Sequence, residues 1–167
     1  DLKGYTLYPS FIDIYATEGV AKSEFSKTAH QPQLSTLKEG PYYWNQSIHP
    51  ETDAYSLFDT DLLKEKDAFV KMGFGSLSTH QMDGIMRGTA VLKTLGSESY
   101  SNQTLVARSA NHYSFSKGSS QQTYPSSQMG VIALIRQFFY DAQWYDKSSK
   151  SPENISLQRG LENLKLP

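Results

Sequence analysis

The sequence predicts an α/β fold with parallel strand pairing. Three observations lead there. A short β-prone apolar run lies near the start, a helix–Gly–strand junction sits in the middle, and helical patterns close the chain, with long irregular stretches between them. Loops that follow strands carry the sites of barrels and open α/β sheets, so chemistry is sought there.

The elements follow in order. Leu7, Tyr8, Phe11, Ile12, Ile14 and Tyr15 form the first run, bent at Pro9-Ser10, and residues 11–15 read as a buried strand of a parallel sheet. Residues 18–50 hold no period and are punctuated by Pro32, Gly40, Pro41 and Pro50, which suits a functional loop. A helix over residues 61–72 follows, capped by Asp59 or Thr60, with Leu62, Leu63, Lys66, Phe69 and Met72 facing inward. Gly73 ends it, and residues 74–79 read as a strand.

Residues 80–88 read as a loop, residues 89–95 and 104–107 as short strands, and residues 97–102 as a turn between them. Residues 109–128 are rich in Ser, Gln and Tyr and read as irregular. The strongest helix spans residues 127–145. Its stripe is Met129, Ile132, Ala133, Ile135, Arg136, Phe139 and Gln143, widened by Leu134, Phe138 and Ala142. Residues 147–151 form a linker within a single segment, 1–167. Ser151-Pro152-Glu153 then opens a last helix, which runs to about Leu164.

Composition excludes several classes. Lys plus Arg is 16 and Asp plus Glu is 17, a net charge of −1, so no global field draws the chain to nucleic acid or anionic lipid. The mean hydropathy of −0.53 is low, yet 11 Tyr, 8 Phe and 2 Trp argue against a disordered chain. With no Cys there is no disulfide, thiolate catalysis or Cys-based zinc site, and periplasmic, secreted and cytoplasmic homes all remain open. No run of about 18 apolar residues offers a membrane span. Asp rather than Met at position 1 suits a processed or excerpted chain.

Two loops carry candidate chemistry. In His80-Gln-Met-Asp83-Gly84-Ile-Met-Arg87-Gly88 the imidazole could be a base or ligand, Asp83 its orienter and Arg87 an anion clamp. The alternative is a tight polar turn with one histidine. In Asn111-His112-Tyr-Ser114-Phe-Ser116-Lys117-Gly118 the Ser-x-x-Lys spacing lacks the companion Ser-Asp-Asn and Lys-Thr-Gly motifs of the penicillin-binding hydrolases. A polar loop lining a pocket with His112, Ser116 and Lys117, or a solvated surface loop, remains.

His30, His49, His80 and His112 show no i,i+2 or i,i+4 pair, so no local zinc motif exists. Because His80 and His112 both follow predicted strands, they could join a dispersed ligand set or be two hydrogen-bonded core histidines. Tyr42, Tyr43 and Trp44, ahead of Asn45, could stack on a substrate or pack the long loop onto the body.

Several segments together resemble the amidohydrolase superfamily. Asp1-Leu-Lys-Gly-Tyr-Thr-Leu-Tyr-Pro-Ser-Phe-Ile-Asp13 resembles the start of its barrel, with Ser10 in place of the usual Gly. Trp44-Asn45 with Ile48-His-Pro-Glu51, Gly73 to His80, Asp83 to Gly88 and Tyr124 to Gln137 look like its imidazolonepropionase-like branch, common in bacteria. The resemblance implies a (β/α)8 TIM barrel performing metal-dependent hydrolysis of C–N bonds, often in cyclic amides. A full barrel needs about 250 residues, so it implies that this chain is roughly the first half, about three βα units with long βα loops. Open sheet edges would then pair with the remainder of the barrel or with a second copy of the chain.

The resemblance also carries a departure. The family's His-x-His after the first strand falls on Tyr15 and Thr17, neither of them a usual zinc ligand. Zinc or another divalent metal is therefore expected to be held mainly outside this segment, and none within it alone. The catalytic candidates are His80, Asp83 and Arg87; the substrate-binding candidates are His112, Ser116, Lys117, Trp44 and Asn45. The partner is a small-molecule substrate in the hydrolase reading. In the alternative, an inactive barrel relative binds a glycan or peptide.

Overall fold

One sheet of four strands organises the chain in the order β1-β2-β3-β4: Phe11–Ala16, Phe74–Thr79, Met86–Thr94 and Thr104–Tyr113. The computed structural model describes residues 2–23, 32, 34–36, 38–96, 104–148 and 152–166. Between β1 and β2 lie a helical turn α1 (Ala54–Leu57), a 3-10 turn (Thr60–Leu62) and the short helix α2 (Lys66–Lys71). After the sheet come α3 (Gln128–Lys147) and α4 (Ile155–Asn163).

Pairing is mixed. β1 and β2 run parallel, whereas β2–β3 and β3–β4 are antiparallel. The expected parallel alternation therefore holds for one pair of three. The connection after β2 is too short for a crossover helix, so the chain turns back and pairs antiparallel. This reversal serves the site: the ends of β1, β2 and β4 and the beginning of β3 gather at one end of the sheet.

β1 forms where expected but is not buried. Phe11 is 66% exposed and Ile14 75% exposed: side chains stand on the two faces of the sheet, and among the described residues neither face of this outermost strand is covered at these positions. The expected helix over residues 61–72 is interrupted. The Asp59 side chain accepts from the Asp61 N–H and starts a tight turn, and Leu63 leaves the helical region at ψ 63°. Phe69 in α2 packs edge-on against Phe74, so tertiary contacts outweigh a continuous stripe. Gly73, at φ 92°, ends α2 as expected.

β3 begins at Met86, inside the expected loop, and β4 runs on to Tyr113 through residues expected to be irregular. Pairing such as Thr89 with Asn111 supplies the backbone bonds that Ser, Asn and His do not favour intrinsically. The expected turn at residues 97–102 lies outside the described residues, as do 149–151 of the expected linker.

α3 begins as expected, with the Ser127 side chain accepting from the Gly130 N–H. Its buried face is Val131, Leu134, Phe138, Ala142 and Tyr145, not the stripe centred on Met129 and Ile132. Both sides of the helix are apolar, and this chain covers one of them; Met129 is 80% exposed. The buried face meets Tyr43, Ile48, Ile85, Met86 and Leu157 in the main core. A second cluster of Ala16, Leu77 and Leu95 lies under Phe58, Leu63, Phe69 and Phe74.

α4 is capped by Asn154 rather than Ser151, its side chain accepting from the Leu157 N–H at 3.0 Å. This helix is stitched to the long first loop. The Ile155 N–H donates to the Pro41 carbonyl at 2.7 Å, and the Tyr43 N–H to Ser156 Oγ at 3.1 Å.

Candidate functional site

This end of the sheet brings together four side chains from four strands or their ends. His80 follows β2 and donates its backbone N–H to the Ala16 carbonyl at the end of β1, at 3.4 Å. His112 lies one residue before the end of β4, and its ring stacks on that of His80 with centroids 3.7 Å apart and planes 7° from parallel. Tyr15, from β1, tilts against both rings at 4.8 and 5.9 Å. Arg87, from the start of β3, donates from Nη1 to Tyr15 Oη at 2.9 Å and from Nε to the Gly84 carbonyl at 3.2 Å.

The electrostatics of this group are unusual. Burial, then His112 and Arg87, push His80 down to about 3. Burial and Arg87 push His112 down as well. Both rings are thus neutral near pH 7. Among the described residues neither ring nitrogen of His80 has a hydrogen-bond partner, and the same is true of His112 Nε2. Buried unpaired polar atoms are uncommon and call for an explanation.

A cavity of about 410 Å³ opens beside His80, lined by Thr17, Val20, Lys22, Gln81, Arg87 and Ser116 among others. Of the sequence candidates, His80, Arg87 and Ser116 meet at this cavity, and His112 lies against His80.

Asp83 does not orient His80. Its carboxylate accepts from the Ser119 N–H at 2.6 Å and the Ser119 hydroxyl at 2.7 Å. Lys117 turns away, donating to the Gln122 carbonyl at 2.7 Å. Trp44 stacks on Tyr124, and Asn45 Nδ2 donates to the Tyr124 carbonyl at 3.1 Å. These two residues hold the long loop on the body, the packing use of the aromatic cluster.

Lys22 and Gln81 line the cavity without having been singled out in the sequence. Lys22 sits in an aperiodic stretch where only its position after the first strand could have pointed to it. Gln81 directly follows a residue that was singled out.

These residues do not fit a resident divalent metal. Among the described residues no three His, Cys, Asp or Glu side chains gather where they could hold one. Imidazole lone pairs lie in the ring plane, so two stacked, nearly parallel rings do not converge on a single ion. The Arg87 guanidinium adds a like charge at the same place. Tyr15, where the resemblance sets a histidine ligand, accepts a hydrogen bond from that guanidinium instead.

No family model matches the chain, and no curated protein sequence does. A solved structure of an amidohydrolase from Thermotoga maritima MSB8 is similar, with a TM-score of 0.66 and 17% identity. The similarity covers 96% of this chain and 44% of the amidohydrolase, so the chain spans less than half the length of that protein. At this identity the likeness concerns architecture: the chain has an amidohydrolase-like fold, built as a mixed α/β unit around a four-stranded sheet.

Proposed function

We propose that this chain is part of an amidohydrolase-like hydrolase acting on C–N bonds, cyclic amides or related groups, within a TIM-type barrel of the imidazolonepropionase-like kind. The observation that carries this reading is the meeting of His80, His112, Arg87 and Tyr15 at one end of the sheet, in a fold shared with part of an amidohydrolase. Zinc or another divalent metal would be held mainly by residues outside this chain, since the described residues at this end of the sheet do not fit one. The remainder of the barrel or a second copy would cover the bare side of β1 and the outer stripe of α3, where Ile14, Met129 and Trp144 stand exposed.

Within this reading His80 is a hydrogen-bond donor rather than a general base. A ring pushed to about 3 is a weak base at pH 7, whereas a neutral imidazole can donate to a substrate carbonyl oxygen. Arg87 would hold negative charge on the substrate. Asp83 would act through the loop it clamps to Ser119.

One observation favours a second reading, an inactive relative that binds a ligand such as a glycan or peptide: Tyr15 and Thr17 stand where the resemblance expects metal ligands. One experiment separates the two. The longest natural form of the protein is assayed on a panel of cyclic and linear amides, beside H80A and a chelator-treated sample. Turnover lost in both supports the hydrolase. Silence across the panel, with ligand-dependent stabilisation indifferent to chelator, overturns it in favour of the binding relative.

A further inference from the structure

We propose that the cavity beside His80 binds a small organic anion, with its carboxylate taken by Arg87 and flanked by Lys22. This does not depend on hydrolysis, for it concerns what the cavity holds and not what is done there.

The charges around the cavity carry the inference. Lys22 and Arg87 line it, and no Asp or Glu does among the described residues. Arg87 is 5% exposed, yet among the described residues it donates to neutral acceptors, the Gly84 carbonyl and the Tyr15 hydroxyl. A guanidinium has five N–H donors, so donors remain. A buried cation without a counter-charge is costly, and a carboxylate supplies both the charge and paired acceptors for a planar fork.

The unpaired polar groups agree. His80 is 1% exposed, lines the cavity, and has no partner for either ring nitrogen among the described residues. As a neutral ring it offers one N–H to a second oxygen of the ligand. Gln81 and Ser116 add polar groups to the lining. The volume, about 410 Å³, suits a small molecule. A divalent cation would meet Arg87 and Lys22 as like charges, so this end of the sheet has the opposite electrostatic sense to the metal pocket that the resemblance implies.

The test is a titration of the longest natural form of the protein with succinate, inorganic phosphate, zinc chloride and, as an uncharged control, 1,4-butanediol. The readouts are the NMR signals of the Arg87 Nε–H and the His80 ring, together with the melting temperature. Succinate is expected to shift both signals and raise the melting temperature, with butanediol inert. R87Q is expected to weaken succinate binding by roughly tenfold or more. K22Q changes an exposed residue at the cavity and spares the core; it is expected to weaken binding roughly two- to fivefold. Should R87Q fail to fold, K22Q and the wild-type signals still decide. Zinc binding on His80 without a succinate response overturns the proposal. So does succinate binding of equal strength in K22Q and wild type, and phosphate bound more tightly than succinate overturns the carboxylate assignment.

Discussion

His80 and His112 lie face to face, 3.7 Å between ring centroids, one from the end of β2 and the other from β4, with β3 between those strands. Two rings at this distance cannot both take up a proton without repulsion, and the Arg87 guanidinium opposes even one.

The first prediction follows from that stack. His80 titrates at about 3 in the folded chain and near 6.5 when unfolded, and His112 is lowered in the same sense. Between these values the unfolded chain binds more protons than the folded one, so stability rises with pH across the window. It is complete above about pH 6.5 and is lost as pH falls towards 3, at most about 1.4 kcal/mol per pH unit for each histidine. Urea denaturation between pH 5 and 7 should show this slope, and H112Q should flatten it. A wild-type stability indifferent to pH in that range would mean the rings are open to solvent.

The second prediction concerns Glu51. Burial alone would raise its carboxyl, but contacts with His49 and Lys38 outweigh burial and bring it down to about 2. The same carboxylate accepts from Ser156 Oγ at 2.8 Å, so it ties α4 to the loop that carries Lys38. E51Q leaves the Lys38 ammonium largely buried without its counter-charge and should cost about 3 kcal/mol at pH 7. Because the folded value lies below the unfolded one, the contribution is present above about 4.5 and disappears as pH falls towards 2. Chemical denaturation of wild type and E51Q at pH 7 and at pH 4 checks both the size and the narrowing of the gap.

The third prediction concerns Gly118. Its φ is +64°, and a Cβ there would stand 1.9 Å from Asp83 Oδ1 and 2.2 Å from the Gly84 nitrogen. G118A should therefore push residues 83–84 away from the 116–119 loop and cost at least about 2 kcal/mol, from left-handed strain plus displaced contacts. Ser116 moves with that loop, so NMR shifts should spread from Gly118 to His80. A melting temperature within a degree of wild type would show that the two loops yield without cost.

Much of this architecture was legible along the chain. Gly73 between an apolar helix and a β-prone run marked the junction correctly, and Ser127 marked the start of α3, because both signals are local backbone chemistry. What remained hidden is what depends on neighbours. Ile14 is as apolar as a core residue yet stands exposed, since a strand's sequence does not say what layer covers each face of its sheet. α3 carries apolar residues on two sides, and contact with Tyr43, Ile48, Ile85, Met86 and Leu157 decides that Leu134 and Phe138 turn inward while Met129 and Ile132 do not.

The site divides in the same way. His80, Arg87 and His112 could be picked out because each lies next to a predicted strand. Asp83 was equally conspicuous, yet a serine thirty-six residues on claims its carboxylate. Asn45 and Trp44 looked like ligand-facing groups because polar and aromatic residues in a loop look the same in sequence whether they meet a substrate or, as here, are packed against a distant turn of the same chain.

The stitching of α4 to residues 41–43 has a consequence for how the molecule is made. Synthesis runs from the amino end, so the Pro41 carbonyl and the Tyr43 N–H leave the ribosome more than a hundred residues before Ile155 and Ser156, which complete them. Closing so long a loop is entropically slow. Before α4 emerges, Tyr43 can already meet Phe138 and Trp44 can meet Tyr124, but the Pro41 carbonyl and the Tyr43 N–H still lack their partners. A nascent chain halted before Asn154 therefore holds this loop without those two bonds, a weaker hold against chaperones and proteases.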